Sequence, residues 1–213
     1  MQTSNREFGD RTPTVPAEFS RNESGQQGRA RMGWTVKKTI VLVGMMGAGK
    51  TAVGKALAAR FDVPFLDSDT EIQDAANMTI AEIFERDGEA FFRVKESEVL
   101  ERLLDDQTKG VLSTGGGAFL AEANRRMISA KGVSVCLQAD LELLWNRVKH
   151  KTTRPLLRTA NPRATLAELY DQRADIYALA DLSVEAHQDY SIEDMTDRVI
   201  AALTARPDVL ERT

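Results

Sequence analysis

Cysteine and histidine are nearly missing from this chain, which holds Cys136 alone and two histidines, His150 and His187. A single cysteine excludes intramolecular disulfides and cysteine metal clusters. It sits in the strand-like run Val133-Ser134-Val135-Cys136-Leu137, which suits a packed core thiol better than a nucleophile. The histidines are far apart, without ligand spacing, so no histidine metal site is expected. No apolar run approaches the roughly 18 residues of a membrane span. Net positive charge is lacking too: a formal charge of −4 and a pI near 5.4 offer no general attraction for nucleic acid or anionic membrane. Any anion must be bound by locally placed Lys and Arg, and neither nucleic acid nor membrane is expected as a partner.

The remaining composition, 42% hydrophobic and 28% charged over 213 residues, suits one soluble α/β domain with a full core. Residues 1–37 are dominated by Asn, Ser, Gly, Gln, Pro and charge, too little apolar surface to offset the entropy of ordering them, so a disordered tail is expected there. No secretory signal is expected, for want of an apolar h-region, and Glu7, Asp10, Glu18 and Glu23 weaken a transit-peptide reading. The folded domain is expected over 38–208, with a short tail at 209–213, in a cytoplasmic monomer.

From Lys38 onward, strand-like and helix-like stretches alternate, which predicts right-handed βαβ units and a parallel sheet covered by helices on both faces. Thr39–Val43 reads as the first buried strand and Ala52–Phe61 as the helix after it. Between them Gly44-Met45-Met46-Gly47-Ala48-Gly49-Lys50-Thr51 fits G-x-x-x-x-G-K-[ST]. In such a loop the glycines turn backbone N–H groups toward a phosphate chain, the Lys reaches the outer phosphates and the Thr hydroxyl takes Mg²⁺. The helix N-terminus adds its own N–H groups and dipole. A Gly-rich turn before an ordinary helix is the bland alternative.

Two further stretches follow predicted strands. Val63–Leu66 leads into Asp67-Ser68-Asp69, and Gly110–Ser113 into Thr114-Gly115-Gly116-Gly117. In an open parallel sheet ligands gather outside the carboxyl ends of the strands, so the phosphate loop, the acids and the glycine turn should share one crevice. The acids suit either an N-cap or a division of labour, one holding Mg²⁺ through water and the other meeting an acceptor hydroxyl. The glycines suit either a loose turn or backbone close to a ligand. Thr79-Ile80-Ala81-Glu82 predicts a capping box opening a helix that stops near Gly88, with a longer helix from Glu89 to about Leu104. Asp140 is the expected N-cap of a helix through Val148. Residues 149–163, basic and broken by Pro155 and Pro162, predict a phosphate-covering lid, and Thr165-Leu166-Ala167-Glu168 the cap of the next helix.

Taken in order, the phosphate loop, Asp67-x-Asp69, Phe92-Arg93-x-x-Glu96, the glycine turn, Arg154-Pro155-Leu156-Leu157 and Arg173-x-x-x-Tyr177 resemble the shikimate kinases from about Lys38 to Ala205. The resemblance implies a three-layer P-loop kinase fold around a five-stranded, mostly parallel sheet. It implies ATP-dependent phosphorylation of the shikimate 3-hydroxyl, a step in chorismate and aromatic amino acid biosynthesis, with ATP and Mg²⁺ as cofactors. Carried over by motif, Gly47, Ala48, Gly49, Lys50, Thr51 and Ala52 hold the nucleotide, and Thr51 the metal with Asp67 in its outer shell. Asp69 binds substrate hydroxyls and is the candidate base. Arg93 and Arg173 hold the substrate carboxylate beside Gly115, Gly116 and Gly117. Arg154 reaches the ATP phosphates and Arg147 lies against adenine. On residues alone, Arg93 suits equally a partner for Glu96, and Arg173 a pair with Asp171 or Asp175. A gluconate or nucleoside monophosphate kinase is the competing enzyme reading. A GTPase-type switch lacks its Asn-Lys-x-Asp element here.

Overall fold

The computed structural model describes residues 33–105, 109–151 and 154–213. The expected disordered tail lies for the most part outside the described residues, as do 152–153 of the expected lid.

The described chain opens with β1 (Trp34–Val36) and β2 (Thr39–Val43), followed by α1 (Lys50–Phe61), β3 (Phe65–Asp67), α2 (Ser68–Ala76) and α3 (Ile80–Asp105). Next come β4 (Val111–Ser113), α4 (Glu122–Lys131), β5 (Gly132–Ala139), α5 (Leu141–Val148), α6 (Pro162–Tyr177), β6 (Leu182–Ala186), α7 (Ile192–Thr204) and β7 (Leu210–Arg212). Short 3-10 turns lie at Ala118–Leu120 and Pro155–Leu157. The main sheet has five strands in the order β3-β4-β2-β5-β6, every neighbouring pair parallel. β2 is buried along its whole length, which its unbroken β-branched run anticipates. It lies between β4 and β5, so the chain leaves it on both sides and a crevice opens at its carboxyl end.

The main core spreads over both faces of this sheet, with Ile40, Leu42, Leu57, Leu112, Ile128, Leu144 and Leu203 fully enclosed. A second, smaller core of Ile72, Ile83 and Phe92, ringed by Met78, Ile80 and Phe84, holds α2 against the first part of α3. α3 is interrupted at Gly88, whose φ of 81° and ψ of 169° only glycine adopts without strain, at the break expected near Asp87-Gly88. The Thr79/Glu82 capping box forms, with Thr79 N donating to Glu82 Oε2 at 2.7 Å and Glu82 N to Thr79 Oγ1 at 3.2 Å.

Three expectations need correction. Residues 34–36 and 210–212, assigned to the two tails, form an antiparallel ribbon with Trp34 opposite Arg212. Trp34 packs edge-on against Phe61 of α1 at 5.9 Å, and Lys37 pairs with Glu211 at 2.7 Å. Three residues pairing with a segment at the other end of the chain leave no periodicity to read locally. α6 starts at Pro162, inside the expected lid and ahead of the expected Thr165 cap. Asn161 is its N-cap, accepting from Ala164 N at 3.2 Å, and Pro162 occupies the first helical position, where a missing N–H costs nothing. α2 is a helix that the sequence pattern did not call, since nine mostly polar residues carry only Ile72 into the core.

Candidate active site

The phosphate loop curves because Gly44, Gly47 and Gly49 hold φ values of 129°, 87° and 101°, a region closed to residues with a side chain. Gly49 caps α1 in this conformation without a side-chain hydrogen bond, and the first turn of α1 carries no acid. That end of the helix therefore offers an anion its N–H groups and dipole without competition. Lys50 Nζ turns back into the loop, donating to the carbonyls of Gly44 at 2.7 Å and Met45 at 3.0 Å. Burial pulls its pKa down to about 8, opposed by the nearby charge of Asp69.

Thr51 Oγ1 donates to Asp67 Oδ2 at 3.0 Å and lies 3.5 Å from Ser113 Oγ. Two hydroxyls and a carboxylate form a hard-oxygen cluster beside the phosphate loop, the donor set that Mg²⁺ takes together with phosphate oxygens and water. Asp67 is at the same time the N-cap of α2, accepting from Asp69 N at 3.1 Å, so its capping and functional readings are compatible.

Asp69 points the other way. Its Oδ1 is buried without a hydrogen-bond partner, and so is Glu96 Oε1. Both press on Gly115, where a Cβ would stand 2.5 Å from Asp69 Oδ1 and 2.8 Å from Glu96 Oε1. Desolvation raises the pKa of both acids; Asp67 raises Asp69 further, while Lys50, Arg154 and Arg93 oppose the shift. Both residues also line the cavity beside Gly115, where the Asp69 carboxylate can meet a hydroxyl-bearing molecule.

Arg93 reaches the same space from α3. It bonds Glu96 Oε2 at 2.8 Å and Glu89 Oε1 at 2.8 Å, so the structural pairing considered for it is present. Gly117 gives it room, since a Cβ there would fall 2.1 Å from Arg93 Nη1. Arg173 comes from α6 and is 7% exposed, yet makes no ion pair with any described residue, Asp171 and Asp175 included. A buried guanidinium without a carboxylate is a strong demand for an anionic ligand. Arg154 follows Lys151 across the two residues outside the description, and its buried Nε also lacks a partner.

These side chains line two cavities. One, of about 410 Å³, runs along Gly47, Ala48, Gly49, Lys50, Thr51 and Ala52 to Arg147. The other, of about 560 Å³, is bounded by Arg93, Glu96, Gly115, Gly117 and Arg173, with Gln73 and Phe84 from the second core. Met46, Asp69, Gly116 and Arg154 belong to the walls of both. Every residue given a nucleotide, substrate or metal role from the sequence except Asp67 lines one cavity or the other, and Asp67 is held to the first through Thr51. Arg147 Nη1 donates to the carbonyls of Gly47 at 3.3 Å and Ala48 at 3.2 Å, against the phosphate loop. Tyr190, Ser191, Ile192 and Met195, none of them a candidate from the sequence, also line the first cavity. No spacing rule brings the start of α7 there; β6 does, by running parallel beside β5. Among the described residues no helix is long and apolar enough to cross a membrane.

A family model described as shikimate kinase matches residues 46–204. A shikimate kinase from Ruegeria pomeroyi is 70% identical over 174 residues, covering 82% of this chain and 89% of the relative. One from Cereibacter sphaeroides is 62% identical over 197 residues, covering 92% and 98%. Among solved structures, a shikimate kinase from Acinetobacter baumannii in complex with shikimate superposes with a TM-score of 0.75 at 37% identity, covering 79% of this chain and 93% of that one.

Proposed function

The chain belongs to the shikimate kinase family, and we propose how its residues carry out that family's reaction, the ATP-dependent phosphorylation of the shikimate 3-hydroxyl. The observation that carries the assignment is the shared wall: Asp69, Gly116 and Arg154 border both cavities, so a phosphate chain in one and an acceptor hydroxyl in the other meet at these three residues.

In this reading the larger cavity takes shikimate. Its carboxylate supplies an anion to Arg173 and shares Arg93 with Glu96, and its hydroxyls meet the Asp69 carboxylate. Glycines 115 to 117 let the backbone approach the ring. The smaller cavity takes ATP, with Gly47 to Ala52 around the phosphates and Arg147 beside the base. Lys50 exchanges the Gly44 and Met45 carbonyls for phosphate oxygens, and Arg154 adds positive charge where the two substrates meet. Thr51, with Asp67 and Ser113 behind it, would hold Mg²⁺, which neutralises charge on the phosphates. Asp69 orients the 3-hydroxyl and receives its proton. Positioning and charge neutralisation supply most of the acceleration in such transfers, which fits a site richer in cations than in nucleophiles. The protein acts as a cytoplasmic monomer with no nucleic-acid partner.

ADP release coupled to shikimate addition tests the reaction; turnover of gluconate or a nucleoside monophosphate in its place would reassign the acceptor. Two variants test the acceptor pocket. Arg93→Ala should raise the shikimate KM by about one to two orders of magnitude, the weight of a charge-assisted pair, with little change in the ATP KM. An unchanged shikimate KM would count against the assignment. Gly117→Ala places a methyl carbon where Arg93 Nη1 now lies. The flexible end of Arg93 yields, so thermal stability should hold while the shikimate KM rises about as far as in Arg93→Ala.

A further inference from the structure

Tyr177 closes the Arg173-x-x-x-Tyr177 pair, and its ring is 5% exposed on the inner face of α6. Its hydroxyl donates to the carbonyl oxygen of Gly116, on the turn that follows β4. The ring lies parallel to Phe119, with centroids 6.4 Å apart and 9° between the planes, so packing fixes where the hydroxyl points. Arg173, one helical turn earlier, stands beside the same phenol, and its positive charge acts on the hydroxyl. Burial pushes the phenol up to about 12, which keeps it a donor at any working pH.

The glycine turn is thus held from two directions. Ser68 Oγ, fully buried, accepts from Gly115 N at 3.1 Å, and Tyr177 takes the carbonyl of the next residue. Because a trans peptide sets its C=O and N–H on opposite sides, tying the Gly116 carbonyl to α6 turns the Gly117 N–H away from α6. Gly117 is the residue packed against the Arg93 guanidinium, and Gly116 is part of the wall between the cavities. Glycines have no side chain to anchor them, so three in a row keep one orientation only if their neighbours impose it.

We propose that Tyr177 is a positioning residue for the acceptor: its hydroxyl fixes the Gly116–Gly117 peptide in the wall of the pocket that Arg93 and Arg173 line, preparing that wall without touching the substrate. This rests on the acceptor-pocket reading above. Loss of the hydroxyl alone leaves the ring on Phe119 and the core filled, but frees the Gly116–Gly117 peptide.

Tyr177→Phe and Arg173→Ala, compared in steady-state kinetics and thermal unfolding, test it. Tyr177→Phe is expected to raise the shikimate KM about five- to tenfold, the effect of one buried hydrogen bond, with the ATP KM within about twofold and the unfolding midpoint nearly unchanged. Tyr177→Leu should lower the midpoint as well, separating the ring's packing from the work of its hydroxyl. An unchanged shikimate KM in Tyr177→Phe beside a raised one in Arg173→Ala would overturn the inference and leave the pocket assignment standing. Equal rises in both KM values would overturn it as well. If neither variant moves the shikimate KM, the pocket assignment fails and this inference with it.

Discussion

Lys50→Met is expected to lower kcat by about a thousandfold or more, since it removes the cation that meets the transferring phosphoryl group. The fold should survive, for a reason the free structure supplies. Lys50 is 8% exposed, and among the described residues its ammonium is hydrogen-bonded by the Gly44 and Met45 carbonyls. Desolvation pulls its pKa down to about 8, below its value in the unfolded chain. A proton that binds the unfolded chain more tightly than the folded one opposes folding, fully below about pH 8 and less as pH rises toward the ordinary lysine range. Methionine keeps the unbranched stem and removes that penalty. The freed carbonyls border an open cavity where water reaches them. At neutral pH the unfolding midpoint should therefore stay level or rise while turnover collapses. A kcat within about tenfold of the parent would remove Lys50 from the reaction centre.

Asp69→Asn is expected to lower kcat by about two to four orders of magnitude, the range for loss of a positioned base. Asparagine preserves volume and one acceptor oxygen, so the shikimate KM should move much less than kcat. The acid form of the parent enzyme is the complementary probe. Burial raises the pKa of Asp69 above the usual carboxylate range, and Asp67 adds to the shift. The ionised base is lost as pH falls through that raised pKa, so the acid limb of kcat/KM should lie above the position of an ordinary aspartate and vanish in the variant. The linkage to folding runs in the opposite direction: stability contributed by the raised pKa is present at low pH and lost as pH rises through it. The ionised, desolvated carboxylate opposes folding at neutral pH, and Asp69→Asn should unfold no earlier than the parent there. Equal losses in kcat and in substrate affinity would point to binding alone.

The second acid shows where sequence reading stopped. Glu96 is visible in Phe92-Arg93-x-x-Glu96 as a possible partner for Arg93, three residues ahead on the helix, and that pairing forms at 2.8 Å. Its free oxygen, turned to Gly115 beside Asp69, has no local signature, because the two acids approach each other only through the packing of α2 against α3 beside the turn after β4. Arg173 was ambiguous for a related reason. Asp171 and Asp175 flank it in sequence, but a helix sends residues two apart to different faces, and only Arg173 turns inward. The ribbon of β1 and β7 and the start of α6 at Pro162 were lost to composition. A short apolar triplet was averaged into a polar tail, and a proline suited to a first helical turn was read as a break.

By itself the sequence determined the parts whose cause is local. The buried β2 run, the positive-φ glycines, the lysine after them and the Thr79/Glu82 capping box are set by backbone sterics, hydrogen bonding and periodicity within about ten residues. The family likeness, a matter of motif order, was also legible there. Only the tertiary structure decided that two cavities share Asp69, Gly116 and Arg154, that Arg173 is buried with no acid paired to it among the described residues, and that Tyr177 ties a helix to the glycine turn. Those are distances between residues far apart in the chain. Strand order and core packing set such distances, and no spacing along one segment encodes them.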